Sequence, residues 1–328
     1  MRVLLTGGAG FLGKNVAHAL LNSGHQVVLL VRGGPRPGLP QAASVIAGDV
    51  RDAAIFKSSA EGCDAIIHTA AMVKQWSARL QDFDDINVGG ITNAIAAAEA
   101  HGIRLVYTSS FMAVGPTLET PVDEAQIHPG PPYRNDYERT KALADAVARR
   151  YAERGGDIVI LYPGVVYGPG ELTDGNIIAK MIADRMNGRL PGIVGPGDRF
   201  WSYAFVDDVA RAHVTAMERG AKGERYFLTG ENATLTEVFA AASKHAGRDL
   251  SPRKLPYGLS RLVGRAMWLW ADMTGKQPDL THHAVGIFEQ HWAYRSHKAE
   301  KNLDYRVRPL ADGIGATVDW LIAEGHAR

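Results

Sequence analysis

Leu4-Leu5-Thr6-Gly7-Gly8-Ala9-Gly10-Phe11-Leu12-Gly13 decides how the rest of the chain reads. An apolar run opens at Val3, breaks into glycines and resumes with apolar residues at Leu12, Val16, Ala19 and Leu20, a helical spacing. Strand, tight glycine loop and helix in that order set the positive end of a helix where a dinucleotide pyrophosphate binds. Glycine does three things there. It permits a turn with positive φ, lets backbone approach phosphate, and lets helix pack closely on strand. Two registers fit: Gly8, Gly10 and Gly13 as G-x-G-x-x-G, or Gly7, Gly10 and Gly13 as G-x-x-G-x-x-G. A glycine-rich turn with no ligand is the bland alternative, and the flanking strand and helix weigh against it.

Outward from this loop, His25-Gln26-Val27-Val28-Leu29-Leu30-Val31-Arg32 reads as a second strand buried on both faces of a parallel sheet. The residue closing such a strand meets the adenine-side ribose, where an Asp accepts from the 2′-hydroxyl and repels a 2′-phosphate. Here Arg32 stands in that place, followed by Gly33, Gly34, Pro35 and Arg36. A guanidinium holds phosphate and stacks on adenine, so NADP(H) is favoured over NAD(H). The alternative is that Arg32 only covers a strand end while Arg36 sits in a loop. A third run, Ser44 to Ala47, leads into Gly48-Asp49-Val50, with Asp49 placed to accept from the adenine amine and Asp52 to cap the next helix. The fourth strand, Asp64 to Ile67, ends in His68-Thr69-Ala70-Ala71, whose small residues admit a cofactor ribose. His68 reads as structural, with no second His or carboxylate at metal spacing beside it, and no metal is expected.

An Ala-rich helix from Asn87, a fifth strand Arg104 to Tyr107 ending at Thr108-Ser109-Ser110, a Pro-rich loop, a helix from Tyr137 to Arg154 and a sixth strand to Ile160 complete the alternation. The fold class is α/β, a doubly wound parallel sheet of the Rossmann type. Residues 1–168 are expected to form the dinucleotide-binding domain. One further strand, 224–229, returns to it from the 203–230 region. Residues 169–328 are expected to form mainly a smaller C-terminal substrate-binding domain.

The composition is that of an ordinary globular chain: 328 residues, 46% apolar, 22% charged and a formal net charge of +1. No strong field points to nucleic acid or an acidic membrane. A single cysteine, Cys63, rules out an intramolecular disulfide. No apolar run reaches the ~18 residues of a membrane span, and residues 1–5 read as strand rather than secretory signal. A cytoplasmic location is expected.

Tyr137 and Lys141 lie four apart on the predicted helix and share a face. A free phenol, with a pKa of about 10, exchanges protons poorly at neutral pH. A neighbouring ammonium and an oxidised nicotinamide both favour phenolate, so the phenol can serve as acid or base at a carbonyl. Ser110, at a strand end and 27 positions before Tyr137, can hold the substrate oxygen, and Lys141 can reach the nicotinamide ribose.

With these three in place the chain resembles the extended short-chain dehydrogenases/reductases over nearly its whole length. The resemblance rests on Thr6-Gly7-x-x-Gly10-Phe11-x-Gly13, Gly48-Asp49, His68-Thr69-Ala70-Ala71, Asn87-Val88-x-Gly90-x-x-Asn93, Tyr107-Thr108-Ser109-Ser110, Tyr137-x-x-x-Lys141, Pro163-x-x-Val166-Tyr167-Gly168-Pro169-Gly170 and Phe205-Val206-Asp207-Asp208. It implies a catalytic set of Ser110, Tyr137 and Lys141, with Ser109 bonding locally. It implies cofactor contacts at Gly7, Gly10, Phe11, Leu12, Gly13, Arg32, Arg36, Asp49 and Val50. Further contacts are implied at Ala70, Ala71, Tyr137, Lys141, Pro163 and Val166. It also implies a homodimer through the helices after Asn87 and Tyr137.

Within the family, Phe111-Met112 stands where dehydratases carry an Asp-Glu pair, and Asp123-Glu124 reads as a solvated loop pair. UDP-sugar epimerases show an Asp where Arg32 stands and an Arg near the position of Trp201, with Arg199 close by. Trp76, Phe111, Met112, Tyr167, Phe200 and Trp201 are expected to line a pocket for a bulky apolar or aromatic substrate. The stripe Leu259, Leu262, Val263, Met267, Trp268, Leu269, Trp270 and Met273 reads first as a core-packing helix, second as a further wall of that pocket, and only last as a membrane-surface helix. The chain looks most like dihydroflavonol-reductase-like and 3β-hydroxysteroid-dehydrogenase-like members. The expectation is an NADP(H)-dependent reductase of a small-molecule carbonyl. An NAD-dependent sugar-nucleotide epimerase is the alternative, and a non-catalytic dinucleotide sensor the more distant one.

Overall fold

A computed structural model describes residues 1–327. The opening run folds as β1 (Arg2–Thr6), and the glycines deliver the chain into α1 (Phe11–Asn22). β2 (Gln26–Val31) and β3 (Ser44–Ala47) precede α2 (Ala53–Ser59), whose first N–H groups, of Ala54 and Ile55, donate to the Asp52 carboxylate at 3.0 Å. After β4 (Ala65–His68), the short α3 (Gln81–Phe83) and a π-helical stretch, Asp84–Val88, run into α4 (Gly89–His101). β5 (Arg104–Thr108), a 3₁₀ turn at Phe111–Val114, α5 (Asp136–Glu153) and β6 (Ile158–Pro163) follow.

The second half is shorter-stepped. It holds β7 (Val165–Tyr167), α6 (Ile177–Met186), β8 (Ile193–Val194), β9 (Trp201–Phe205), α7 (Val206–Arg219) and β10 (Arg225–Leu228). Then come β11 (Asn232–Ala233), α8 (Leu235–Ala246), β12 (Lys254–Leu255), α9 (Tyr257–Thr274), α10 (His282–Phe288), α11 (His297–Leu303) and α12 (Leu310–Ala323).

Seven parallel strands form the main sheet in the order β10-β6-β5-β4-β1-β2-β3. Alternate residues feed two separate apolar layers. Leu4, Leu30 and Ile66 join Phe56, Ile91 and Ala144 on one face, while Val3, Leu5 and Leu29 join Val16, Leu20 and Val209 on the other. Two buried faces explain why these strands read as continuous apolar runs rather than alternating ones. The expected returning strand is β10, which pairs with β6 from Arg225 to Leu228.

Three expectations need correction. Glu124 is buried rather than solvated, because its Oε1 accepts the Phe227 N–H of edge strand β10 at 2.8 Å. Tyr167 is a core residue, 1% exposed and edge-on to Phe205 and Tyr203. The α9 stripe is not a core-packing surface: Ser260, Gly264 and Ala271 are the residues it buries. Gly264 lies so close to α10 that a Cβ would fall 2.6 Å from the His282 nitrogen. That close approach turns the small face inward and leaves Leu259, Leu262, Val263, Leu269, Trp270 and Met273 exposed, while Met267 and Trp268 are half-buried.

Candidate active site

Two loops meet where the strand order reverses, between β1 and β4, the usual position of a ligand crevice in such a sheet. Gly7 has φ +76°, and a Cβ there would fall 2.5 Å from Thr69 Oγ1 and 2.6 Å from the Ala70 nitrogen. A Cβ on Gly13 would fall 2.1 Å from the Gly7 carbonyl oxygen. Of the two registers open in the sequence, Gly7-x-x-Gly10-x-x-Gly13 is therefore the one that sets the backbone, while Gly8 is tight against the Leu29 side chain. Gly10 begins α1 and offers no side-chain cap, so the first N–H groups of that helix suit a phosphate. The Thr69 hydroxyl donates to the Thr6 carbonyl at 2.7 Å and joins the two loops.

On the expected adenine side, Arg32 is exposed, with no hydrogen bond or ion pair among the described residues. Arg36 Nη2 donates to the Ala9 carbonyl at 3.2 Å, so its guanidinium lies against the glycine loop. Asp49 is gripped by a residue the sequence reading did not single out. Arg51 donates Nε and its backbone N–H to Oδ1, each at 3.0 Å, and Nη2 to Oδ2 at 2.8 Å. These hydrogen bonds hold the Asp49 carboxyl below its ordinary range. The Val50 carbonyl accepts from Asn93 Nδ2 at 2.8 Å. Leu12, Ala70, Ala71 and Val166 are half-buried, whereas Phe11 and Pro163 are buried. Gly170 lies over the Phe11 ring, and Glu171 pairs with Lys14, so the segment after β7 folds back on α1.

Ser110 caps the 3₁₀ turn after β5, its Oγ accepting the Met112 N–H at 3.2 Å. The same hydroxyl favours the phenolate form of Tyr137, against the effect of burial. Ser109 turns the other way and donates to Asp145 Oδ1 at 3.3 Å. Lys141 is buried, donates Nζ to the Thr108 carbonyl at 3.0 Å, and stands 5.4 Å from the Tyr107 ring centroid.

Burial dominates the electrostatics of this pair in the protein alone. Burial pushes the Tyr137 phenol up to about 12, and the Ser110 hydroxyl pulls it back only in part. Burial also lowers Lys141 to about 7, with the Asp145 charge opposing. The ammonium and an oxidised nicotinamide ring were together expected to favour phenolate. The lysine is itself in a site that disfavours charge and directs its proton at Thr108, so burial and Ser110 set the phenol.

Further side chains hold this arrangement together. Asn87 Oδ1 accepts the Met72 N–H at 2.7 Å, and its Nδ2 donates to Thr140 Oγ1 at 2.9 Å, tying the loop after β4 to α5. Arg139 clamps both oxygens of Asp84 in the π-helical stretch, at 2.8 and 2.6 Å. Glu138, fully buried, accepts from the Arg134 backbone N–H and Nη1, both at 2.7 Å, and pairs with His128 Nε2 at 3.0 Å. The spacing Asn135-x-x-Glu138, a helix-start signature, is the signal that marks Glu138 in the sequence. His68 is held by Thr6 Oγ1 at 2.7 Å, and burial lowers its pKa to about 3, so it stays neutral.

Of the expected pocket aromatics, Phe111 packs edge-on to Trp292, centroids 5.4 Å apart. Trp76 Nε1 donates to Asp272 of α9 at 3.1 Å. Trp201 stacks on Phe288, and Phe200 lies on His291. Arg199 Nη1 is bonded to His291 Nε2 at 3.0 Å.

The profile of the NAD dependent epimerase/dehydratase family matches residues 3–228. The chain is 29% identical to a putative dihydroflavonol 4-reductase of Synechocystis, covering 99% of this chain and 95% of that protein. It is 32% identical to sterol demethylase protein B of Methylococcus capsulatus, covering 80% and 81%. Among solved structures, that of gox2253 superposes with a TM-score of 0.80 at 28% identity, covering 100% of this chain and 99% of the other.

Proposed function

The chain belongs to the NAD dependent epimerase/dehydratase family, within the extended short-chain dehydrogenases/reductases, and on that premise we propose an NADP(H)-dependent reductase of a bulky, apolar or aromatic carbonyl compound, reversible as an alcohol dehydrogenase. The observation that carries this reading is the placement of Ser110 at the end of β5 and of Lys141, one helical turn from Tyr137 on α5 and bonded to the Thr108 carbonyl, on the same carboxyl edge of the sheet as the uncapped end of α1.

When bound, the nicotinamide supplies or accepts the hydride. Gly7, Gly10 and Gly13 let the pyrophosphate sit on α1, and Arg32 and Arg36 are the cations for a 2′-phosphate. Ser110 holds the substrate oxygen. The Tyr137 phenol, protonated at neutral pH at its raised pKa, gives its proton to that oxygen. Lys141, one helical turn from the phenol, is fixed by the hydrogen bond its Nζ donates to the Thr108 carbonyl. Residues 1–168 with β10 form the cofactor half in this reading, and residues 169–328 mainly the substrate half. The working unit is a homodimer through α4 and α5.

The test is NADPH oxidation against a panel of aromatic ketones, steroids, β-keto acids and UDP-sugars, with wild type beside Tyr137→Phe. The expected result is ketone-dependent oxidation that Tyr137→Phe lowers by about 10²–10⁴-fold, with NADPH affinity within a few fold of wild type. UDP-sugar interconversion without net NADPH consumption would establish the epimerase reading instead. Dinucleotide binding with no turnover of any compound would establish the sensor reading.

A further inference from the structure

The outer face of α9 is the least accounted-for surface of the molecule. Leu259, Leu262, Val263, Leu269, Trp270 and Met273 recur at helical spacing along it, and all six are exposed. Met273 is 85% exposed, Leu262 66% and Leu269 58%, values at which no other part of the chain covers them. This is the reverse of a helix that packs on a core, where the large side chains face in. A contiguous apolar stripe of this kind marks an interaction surface.

Charge identifies what covers it. Between residues 253 and 276 the chain carries Arg253, Lys254, Arg261, Arg265 and Lys276 against one acidic residue, Asp272. Arg261 is paired with Glu289 at 2.6 Å, and Asp272 holds Trp76. Arg253, Lys254, Arg265 and Lys276 form no ion pair among the described residues. A two-fold contact with a second copy would set this cationic face against itself. An apolar stripe flanked by unpaired cations, with a tryptophan on its exposed side, fits the headgroup region of an anionic bilayer.

We propose that α9 docks this protein on the surface of a membrane containing anionic phospholipid, lying in the plane of the interface. No helix among the described residues is long and apolar enough to cross a membrane, so the attachment is peripheral and reversible. The Trp76–Asp272 hydrogen bond ties α9 to the segment after β4, whose Met72 is fastened to Asn87. The docked face is thereby linked to the loop that borders the candidate active site. The proposal does not rest on the reductase reading.

Flotation with vesicles tests it, using phosphatidylcholine alone and phosphatidylcholine mixed with phosphatidylglycerol. Wild type should float with the mixed vesicles and far less with the neutral ones, and Trp fluorescence should shift to the blue on binding. The pair Leu262→Glu with Met273→Glu should weaken that binding by roughly tenfold or more, as should Arg265→Glu with Lys276→Glu. Raising the salt to about 1 M should weaken it too. The thermal midpoint by circular dichroism checks that both variants stay folded. Failure to float, or floating that neither variant changes, overturns the proposal. Equal floating with neutral vesicles overturns its anionic part. A wild-type oligomer that dissociates in the Leu262→Glu, Met273→Glu variant assigns the face to a second copy.

Discussion

Lys141 has its nitrogen 3.0 Å from the Thr108 carbonyl, and burial lowers its pKa from 10.5 to about 7. Below about pH 7 it is charged in the folded and the unfolded chain alike, and the fold carries the full desolvation cost. Between about 7 and 10.5 the unfolded chain binds a proton that the fold does not, so this group makes stability rise with pH across that window. Lys141→Met should therefore raise the urea midpoint at pH 6, by on the order of 3 kcal/mol in free energy. The gain should shrink towards zero by pH 10 while turnover is lost at both. A gain independent of pH would show that Lys141 is charged throughout. In the proposed reading Arg32, exposed just after β2, sets the cofactor preference. Arg32→Asp should reverse a preference for NADPH over NADH in Kd measurements. A wild type that binds NADH more tightly than NADPH would refute the assignment.

At the scale of elements, α5 is held at its start by Glu138. The carboxylate joins the Arg134 backbone and guanidinium to His128, and thereby anchors the loop entering the helix next to Tyr137. Breaking a buried ion pair from one side leaves its partner's charge unmatched. Glu138→Ala should cost about 3 kcal/mol in urea unfolding and lower kcat more than it changes NADPH affinity. Loss of stability with kcat unchanged would show that the anchor is only structural. Much of α5 was legible beforehand: a helix was expected from Tyr137 to Arg154, and it runs from Asp136 to Glu153. Glu124 was not legible. Its neighbours in sequence are loop residues, and only the arrival of β10 at the sheet edge gives its carboxylate a backbone N–H to accept. Arg51 was hidden for a similar reason, since a charged residue two after Asp49 reads as solvated until the turn folds its guanidinium back.

For the whole molecule, the proposed homodimer brings α4 and α5 against their copies. Leu143, 41% exposed on α5, is the apolar residue such a contact would cover. Light scattering should give a dimer mass for wild type and a monomer mass for Leu143→Glu, with α9 variants unchanged in mass. A monomeric wild type would remove the dimer from the reading. The sequence alone determined the doubly wound sheet, its glycine turn, and the helix carrying Tyr137 and Lys141. Each is written in a short stretch: an apolar run, a glycine triplet, a four-residue spacing. Tertiary structure alone decided which register of glycines touches Thr69, that Lys141 addresses Thr108, and that the apolar side of α9 faces outward. Burial and electrostatic environment depend on what packs against a residue from distant parts of the chain, and periodicity shows only that a helix has two sides, not which one is covered.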